Sequence, residues 1–384
     1  MLSSAELGFY YHNGRSFFEK TSLVNYITEN NTHDLTIDYY FNDHVFKKID
    51  TTLEPEIDIE SLYIQRAKNL REQYRYLILA FSGGSDSNEI LHTFVMNNIF
   101  LDEIVIVHYN TLLKNIKEFD NKLNKFLEYD NQAKKILELV KKNSPKTKIT
   151  TIDYTDKLLN LTKNTDSLYT IDRHVHITNT LNPNISEIRY YASSVAEKEN
   201  NVGVIYGFDK PILKLENNIL YFHFNDVSVA CATPSRIGLL SDKYDSIAFF
   251  WTGNVPLITI KQAHLMKKLL ENNNDLYKQF VYATIETKNY NYAANFYRKF
   301  NSIIYKYWND SYFAASKNLN DSEENYLLNN FIEEKDLLKK EIEKKNKFLI
   351  HKHKNEKKIM KHLIKPINSR LYSLGNFNLK WSEK

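Results

Sequence analysis

Ser82-Gly83-Gly84-Ser85-Asp86-Ser87 is the stretch of this sequence whose residue types converge on one chemistry. Adjacent glycines let the backbone take positive φ and let a ligand approach the main chain closely. The residues that follow have the pattern of a helix start, where four N–H groups lack partners and the macrodipole is positive. Three serine hydroxyls add donors around the same cavity. Placed after a buried parallel strand, such a turn is a phosphate cradle. Asp86 would repel a bare phosphate there, so a divalent cation between the two is the natural resolution. Glycine is scarce, 9 in 384 residues, so a Gly-Gly pair needs a local reason. Other motifs do not fit: there is no GxxxxGK[ST] and no GxGxxG. A GxSxG elbow needs a glycine two residues after the serine, where Ser85 is followed by Asp86-Ser87.

These residues need elements to hold them. YLILAF (76–81) is a continuous apolar run, the pattern of a strand buried on both faces. Before it, Ile59, Leu62, Tyr63, Ala67, Leu70 and Tyr74 share one helical face, with Asp58 as the N-cap. After it come a helix over 88–97, a second strand EIVIVHY (103–109), and one or two helices within 112–142. KITTIDY (148–154), a helix around 186–199 and VGVIYG (202–207) complete the alternation. The pattern predicts an α/β fold with an open, doubly wound parallel sheet and right-handed crossovers. ILYFHF (219–224) and SIAFFW (246–251) read as additional strands or a hairpin. From 258 onward Ile258, Ala263, Met266, Leu269 and Leu270 give an amphipathic face, and a helical C-terminal region is expected.

With its strand before and helix after, SGGSDS resembles the pyrophosphate loop of the N-type ATP pyrophosphatases, the PP-loop superfamily. That resemblance implies a HUP-like domain binding ATP and Mg2+. It implies cleavage between the α- and β-phosphates, adenylation of a substrate oxygen and release of pyrophosphate. Ser82, Gly83, Gly84, Ser85, Asp86 and Ser87 would hold the nucleotide. The fourth strand runs into Gly207-Phe208-Asp209-Lys210-Pro211, and in a doubly wound sheet that end lies beside the first loop. Family members place a Gly-x-Asp-like element there, facing the pyrophosphate. By that resemblance Gly207 touches the nucleotide, Asp86 and Asp209 hold the metal, and Lys210 acts with Asp86 in catalysis by neutralising the leaving group. RAKNLREQYRYLILAFSGGSDS, IYGFDKP, FFW followed by VP, KQAHLMKKLL and IIYKYW are similar to uncharacterised PP-loop proteins of tailed bacteriophages, over roughly residues 40–375. This chain has Trp251-Thr252-Gly253-Asn254 where that group leads one to expect a proline and an acidic residue after the tryptophan. The expected division is a small mixed segment with a lead-in helix at 1–73, the PP-loop domain at 74–257, and a helical region with a basic tail at 258–384.

Weaker candidates surround this core. His108 and Tyr109 end the second strand and could flank adenine or simply pack at the rim. Asp153 ends the third strand, as a ribose or substrate contact or as a cap. His174 and His176 are spaced to share a strand face, with no third metal ligand nearby. Gln262 and His264 fall on one amphipathic turn, as support for the site or as helix surface. Cys231, alone in the chain, excludes disulfides and cysteine-rich zinc sites and reads as a small buried hydrophobe. Its solitude also argues against the sulfur-transferring members and the four-cysteine zinc members of the family. Met1-Leu2-Ser3 lacks the N-terminal cysteine of the glutaminase-linked members. What remains is adenylation followed by attack of ammonia or an amine, as in an amide-forming ligase.

Lys+Arg 51 against Asp+Glu 47 gives a net charge of +4, too balanced for a dedicated nucleic-acid binder. The excess sits in KKNKFLIHKHKNEKKIMKHLIK, a solvated helix face or a phosphate-binding tail. No apolar run reaches the roughly 18 residues of a membrane helix, and no basic-then-apolar leader opens the chain. The expectation is therefore a cytoplasmic protein, in the host cytoplasm if of phage origin, without a membrane partner. Its partners are ATP and a small-molecule or macromolecular substrate. Two other readings compete: a nucleotide-holding module in a viral assembly, and a nucleic-acid modifying enzyme.

Overall fold

The protein is described by a computed structural model over residues 9–17, 23, 26, 27, 30, 36–108, 134–153, 183–207, 210–224, 244–250, 253–286, 296–308 and 367–378. Strands β1 (Phe9–His12), β2 (Arg15–Phe17) and β3 (Asp38–Tyr40) form a small antiparallel sheet in the order β2-β1-β3. Helix α1 (Ile59–Gln73) starts where predicted, because the Asp58 carboxylate accepts from the Ser61 N–H at 2.8 Å. It buries Leu62, Tyr63, Ala67 and Leu70 on one face.

Then follow β4 (Tyr76–Ala80), α2 (Ser85–Met96), β5 (Glu103–His108), α3 (Lys134–Asn143), β6 (Lys148–Asp153), α4 (Pro183–Ala196) and β7 (Val202–Tyr206). The hairpin β8 (Ile212–Glu216) and β9 (Ile219–His223) precedes β10 (Tyr244–Ala248). Beyond these lie α5 (Pro256–Asn272), α6 (Asn274–Val281), α7 (Asn301–Ile304) and β11 (Tyr372–Asn376).

The main sheet is five-stranded and parallel throughout, in the order β10-β7-β4-β5-β6. Successive residues of β4 point to opposite faces, so a fully apolar strand can feed two cores. Leu77 and Leu79 join the larger core with residues of α1, α2 and α3, while Ile78 and Ala80 join the smaller one under α4. Glu103, fully buried at the start of β5, would be costly alone. It accepts from Tyr76 Oη at 2.9 Å, Tyr191 Oη at 2.6 Å, Lys148 Nζ at 2.8 Å and the Thr150 hydroxyl. Burial pushes its carboxyl up, but these donors outweigh it and hold it below the usual range. Tyr191 belongs to α4, so the network also pins that helix to the sheet.

The two apolar runs beyond β7 are strands as expected, with partners the sequence did not name, whereas the C-terminal region departs from expectation. SIAFFW is the fifth parallel strand, shifted to Tyr244–Ala248 and paired with β7. ILYFHF is the second strand of a hairpin whose first strand, β8, carries the modest alternation ILKLE. The C-terminal region is helical only in part: β11 adds antiparallel to β9 in a sheet ordered β11-β9-β8. Phe41, Phe46, Phe222, Phe224 and Tyr372 interlock against that sheet, with Phe41–Phe224 centroids 4.6 Å apart. The basic tail, His174, His176 and Cys231 lie outside the described residues. Among the described residues no helix is long and apolar enough to cross a membrane.

Candidate functional site

In the main sheet β4 is central: β5 and β6 succeed it on one side, β7 and β10 on the other. Chain connections leaving β4 and β7 therefore diverge and open a crevice at their C-terminal ends, the place where ligands bind in open α/β sheets. The two sequence elements singled out above both fall there.

Phe81 continues the β4 ladder, its N–H donating to Val105 O at 2.9 Å. The chain then reverses at Gly83, whose φ of +82° places it in the left-handed region. Gly84, extended at φ −74° and ψ 169°, is the N-cap of α2 and offers no side-chain cap. Ser85, Asp86 and Ser87 are the first turn of the helix, not loop residues ahead of a helix starting near Ser87. The reason is local. Ser87 Oγ donates to Gly84 O at 3.1 Å, and Asn88 Nδ2 donates to Gly83 O at 2.8 Å, so the turn is laced to the helix it precedes. Ser82 Oγ accepts from Gly84 N–H at 3.2 Å and lies 3.1 Å from Ser87 Oγ. The hydroxyls thus tie the turn to the start of the helix.

Across the crevice, Gly207 ends β7. A Cβ there would lie 3.0 Å from Asp86 C, Asp86 Cβ and Ser87 N, tighter than an ordinary contact, so any side chain would push the two elements apart. Lys210 Nζ donates to Asp86 Oδ1 at 2.9 Å, with side chains 11% and 23% exposed. Tyr305 Oη donates to the same oxygen in a short contact. The Lys210 ammonium also lies 5.2 Å from the centroid of the Tyr305 ring, a cation–π geometry. Burial pushes the Tyr305 phenol well up and the Asp86 charge adds to it, so the hydroxyl stays a donor.

One turn along α2, the buried Glu89 accepts the backbone N–H groups of Lys306 at 3.3 Å and Tyr307 at 3.1 Å. Burial raises its carboxyl to about 7, against the pull of those two N–H groups. His92, a further turn on, stacks on Tyr307 at 4.5 Å and 16°. Its pKa is lowered by burial.

The structure brings together Ser82 to Ser87, Gly207 and Lys210. Asp209 is outside the described residues, as are Trp251 and Thr252. His108 ends β5 beside β4, and its side chain is outside the description. Asp153 is exposed at the end of the edge strand β6, paired with His108, and so about 10 Å across the sheet from β4 at the usual strand spacing. Gln262 and His264 are not helix surface. Both are buried and bind Tyr63 Oη at 2.8 Å and Thr51 O at 3.0 Å. The sequence reading missed Tyr305 and Glu89 as parts of the site. Tyr305 is 219 residues from Asp86, and its only signal was the segment IIYKYW.

The described residues hold no cluster of three or more His, Cys, Asp or Glu able to cage a metal. Mg2+ bound with a polyphosphate needs no such cage, since one or two carboxylates and the phosphates suffice. Asp86 fits that requirement, provided that the metal shares the carboxylate with Lys210 and Tyr305. No protein-family model matches this chain, and no curated protein matches it.

Proposed function

We propose that the crevice between β4 and β7 is an ATP site of the PP-loop, HUP-like type, cleaving ATP between the α- and β-phosphates and adenylating a substrate oxygen. The observation that carries this reading is the meeting of two distant elements at the switch point. Gly207 abuts the first turn of α2, and Lys210 is bonded to Asp86 at 2.9 Å. A phosphate cradle alone would serve many ligands. A cradle with an acid and a base facing each other suits a metal-bound polyphosphate.

The residues divide the work by their chemistry. The α2 amides and the Ser85 hydroxyl would orient phosphate oxygens, and the Ser82 and Ser87 hydroxyls would join them by exchanging their bonds within the turn. Asp86, with Asp209 two residues beyond Gly207, would hold Mg2+, which supplies charge neutralisation on the phosphates when bound. Lys210 then exchanges its bond to Asp86 for the departing pyrophosphate, where negative charge accumulates. Catalysis is thus mostly positioning plus electrostatics, and none of the described residues is assigned as the base that takes the proton of an attacking amine. The lone cysteine favours an amide-forming ligase over sulfur transfer.

Incubation with Mg2+ and ATP labelled at the α-phosphate tests the reading. AMP and pyrophosphate are the expected products, raised by ammonia or an amine once a substrate is present. ADP with phosphate would exclude α–β cleavage. Binding without any product would leave the nucleotide-holding module. Asp86→Asn should keep the fold and weaken Mg2+-ATP binding in calorimetry, because an amide does not balance the cation.

A further inference from the structure

Asp86 is held from a part of the chain that lies far from either phosphate-binding element. The segment Ile304–Tyr307 crosses α2 and is fixed at three places. Tyr63 Oη of α1 donates to Ile304 O at 3.0 Å, and is itself bonded by the buried Gln262 of α5 at 2.8 Å. Glu89 takes the N–H groups of Lys306 and Tyr307, one on each carboxylate oxygen. Lys306 pairs with Glu60 of α1, and Tyr307 stacks on His92. Between these grips lies Tyr305, its ring against Phe250 at 5.4 Å and its hydroxyl on Asp86.

The spacing explains why the arrangement is exact enough to matter. Asp86 and Glu89 are three residues apart on one helix and so present neighbouring carboxylates on one face. Tyr305 and the N–H groups of the next two residues meet them in the same order. Because both oxygens of Glu89 are engaged, the crossing segment has little freedom to slide, and the phenol is held against Asp86.

We propose that Tyr305 is a positioning residue of the nucleotide site, fixing the Asp86 carboxylate for metal, and that Glu89 acts through it by holding the segment in register. The inference rests on the reading of Asp86 as a ligand of nucleotide-bound metal. Tyr305 takes no part in holding phosphate. It acts on the metal ligand, as groups bonded to metal-binding carboxylates do elsewhere.

The test uses the full chain, Mn2+ as the metal and an ATP analogue with a methylene bridge between the α- and β-phosphates, with Mn2+ affinity read by electron paramagnetic resonance. Tyr305→Phe keeps the ring packing and removes one hydroxyl. It should weaken Mn2+ binding in the ternary complex about 10-fold to 100-fold, the usual effect of losing such a partner. Glu89→Ala should weaken it comparably, and the double variant should be no worse than the weaker single, since both changes break one linkage. Circular dichroism and the unfolding midpoint of Tyr305→Phe establish that the fold persists. Should that variant unfold, Glu89→Ala carries the same measurement. Unchanged Mn2+ affinity in a folded Tyr305→Phe, with wild type binding normally, overturns the inference and leaves the ATP reading standing. Fully additive losses overturn the role given to Glu89. If wild type binds no Mn2+-nucleotide, the ATP reading falls first and the inference with it.

Discussion

Glu89→Gln probes the buried carboxylate that grips the crossing segment. Its carboxyl is raised from 4.5 to about 7, chiefly by burial. The sign follows from proton linkage. Between pH 4.5 and 7 the folded protein binds this proton more tightly than the unfolded chain does, so unfolding releases it and stability falls as pH rises. The contribution is complete below 4.5 and lost above about 7. At about 1.4 kcal/mol for each tenfold change in proton affinity, the swing is about 3 kcal/mol. Glutamine has no such titration. Its amide also puts an NH2 group where one acceptor oxygen stood, a change whose cost in the variant is the same at every pH, so the pH dependence of the difference is that of Glu89 alone. Urea unfolding of wild type and variant at intervals from pH 4.5 to 8 gives the difference directly. Relative to Glu89→Gln, wild type should lose about 3 kcal/mol over that range. A difference that stays constant to within about 0.5 kcal/mol would refute burial as the dominant influence on this group.

Three further outcomes follow from the same geometry. If the proposed ATP chemistry holds, Lys210→Ala should slow pyrophosphate release on the order of 10²-fold while ATP affinity falls much less, because a cation placed at the leaving group would act in the transition state; wild-type release rates would remove Lys210 from the site. Gly207→Ala places a methyl group within 3.0 Å of the Asp86 and Ser87 backbone, and should cost about 1–3 kcal/mol in urea unfolding together with weaker nucleotide binding. His223, lowered by burial to about 4 from 6.5, stays neutral in the folded protein. Its share of stability is therefore present above 6.5 and lost toward pH 4, about 3 kcal/mol in all, and His223→Phe should flatten that acid limb of the stability profile.

What the sequence disclosed, and what it hid, depended on how local each cause was. YLILAF was legible because both faces of β4 are buried, which leaves no polar residue to blur the run. Asp58 was legible as a cap because its partner is three residues away. The Gly83-Gly84 turn was legible because glycine is rare in this chain. Strand β8 was not, since Lys214 and Glu216 break the apolar run of ILKLE; the hairpin signal lies beside it, in the Asn217-Asn218 turn with φ of +49° and +60°. SIAFFW could be read as a strand but not as a parallel neighbour of β7, because an apolar run does not name its partner. In β11, YSLGN gives no helical period, and its ladder and aromatic packing against β9, together with the bond from Tyr372 to Asp43, are made by distant parts of the chain.

Tyr305 and Glu89 were hidden for a different reason, one that bears on what this fold tolerates. A buried carboxylate near 7 is a poor choice for stability, and a neutral residue in its place would avoid the cost of burying charge. Yet a single neutral acceptor cannot take the N–H groups of both Lys306 and Tyr307 on separate oxygens as Glu89 does. The charge is thus tied to the register of the crossing segment, and the segment carries the phenol that holds Asp86. Stability and positioning pull in opposite directions at this residue. If the site works as proposed, Glu89→Gln should therefore stabilise the protein at pH 8 relative to its effect at pH 4.5 and still loosen Mn2+-nucleotide binding. A variant that gained stability without any loss of metal affinity would separate the two properties and leave the buried charge without a purpose in the site.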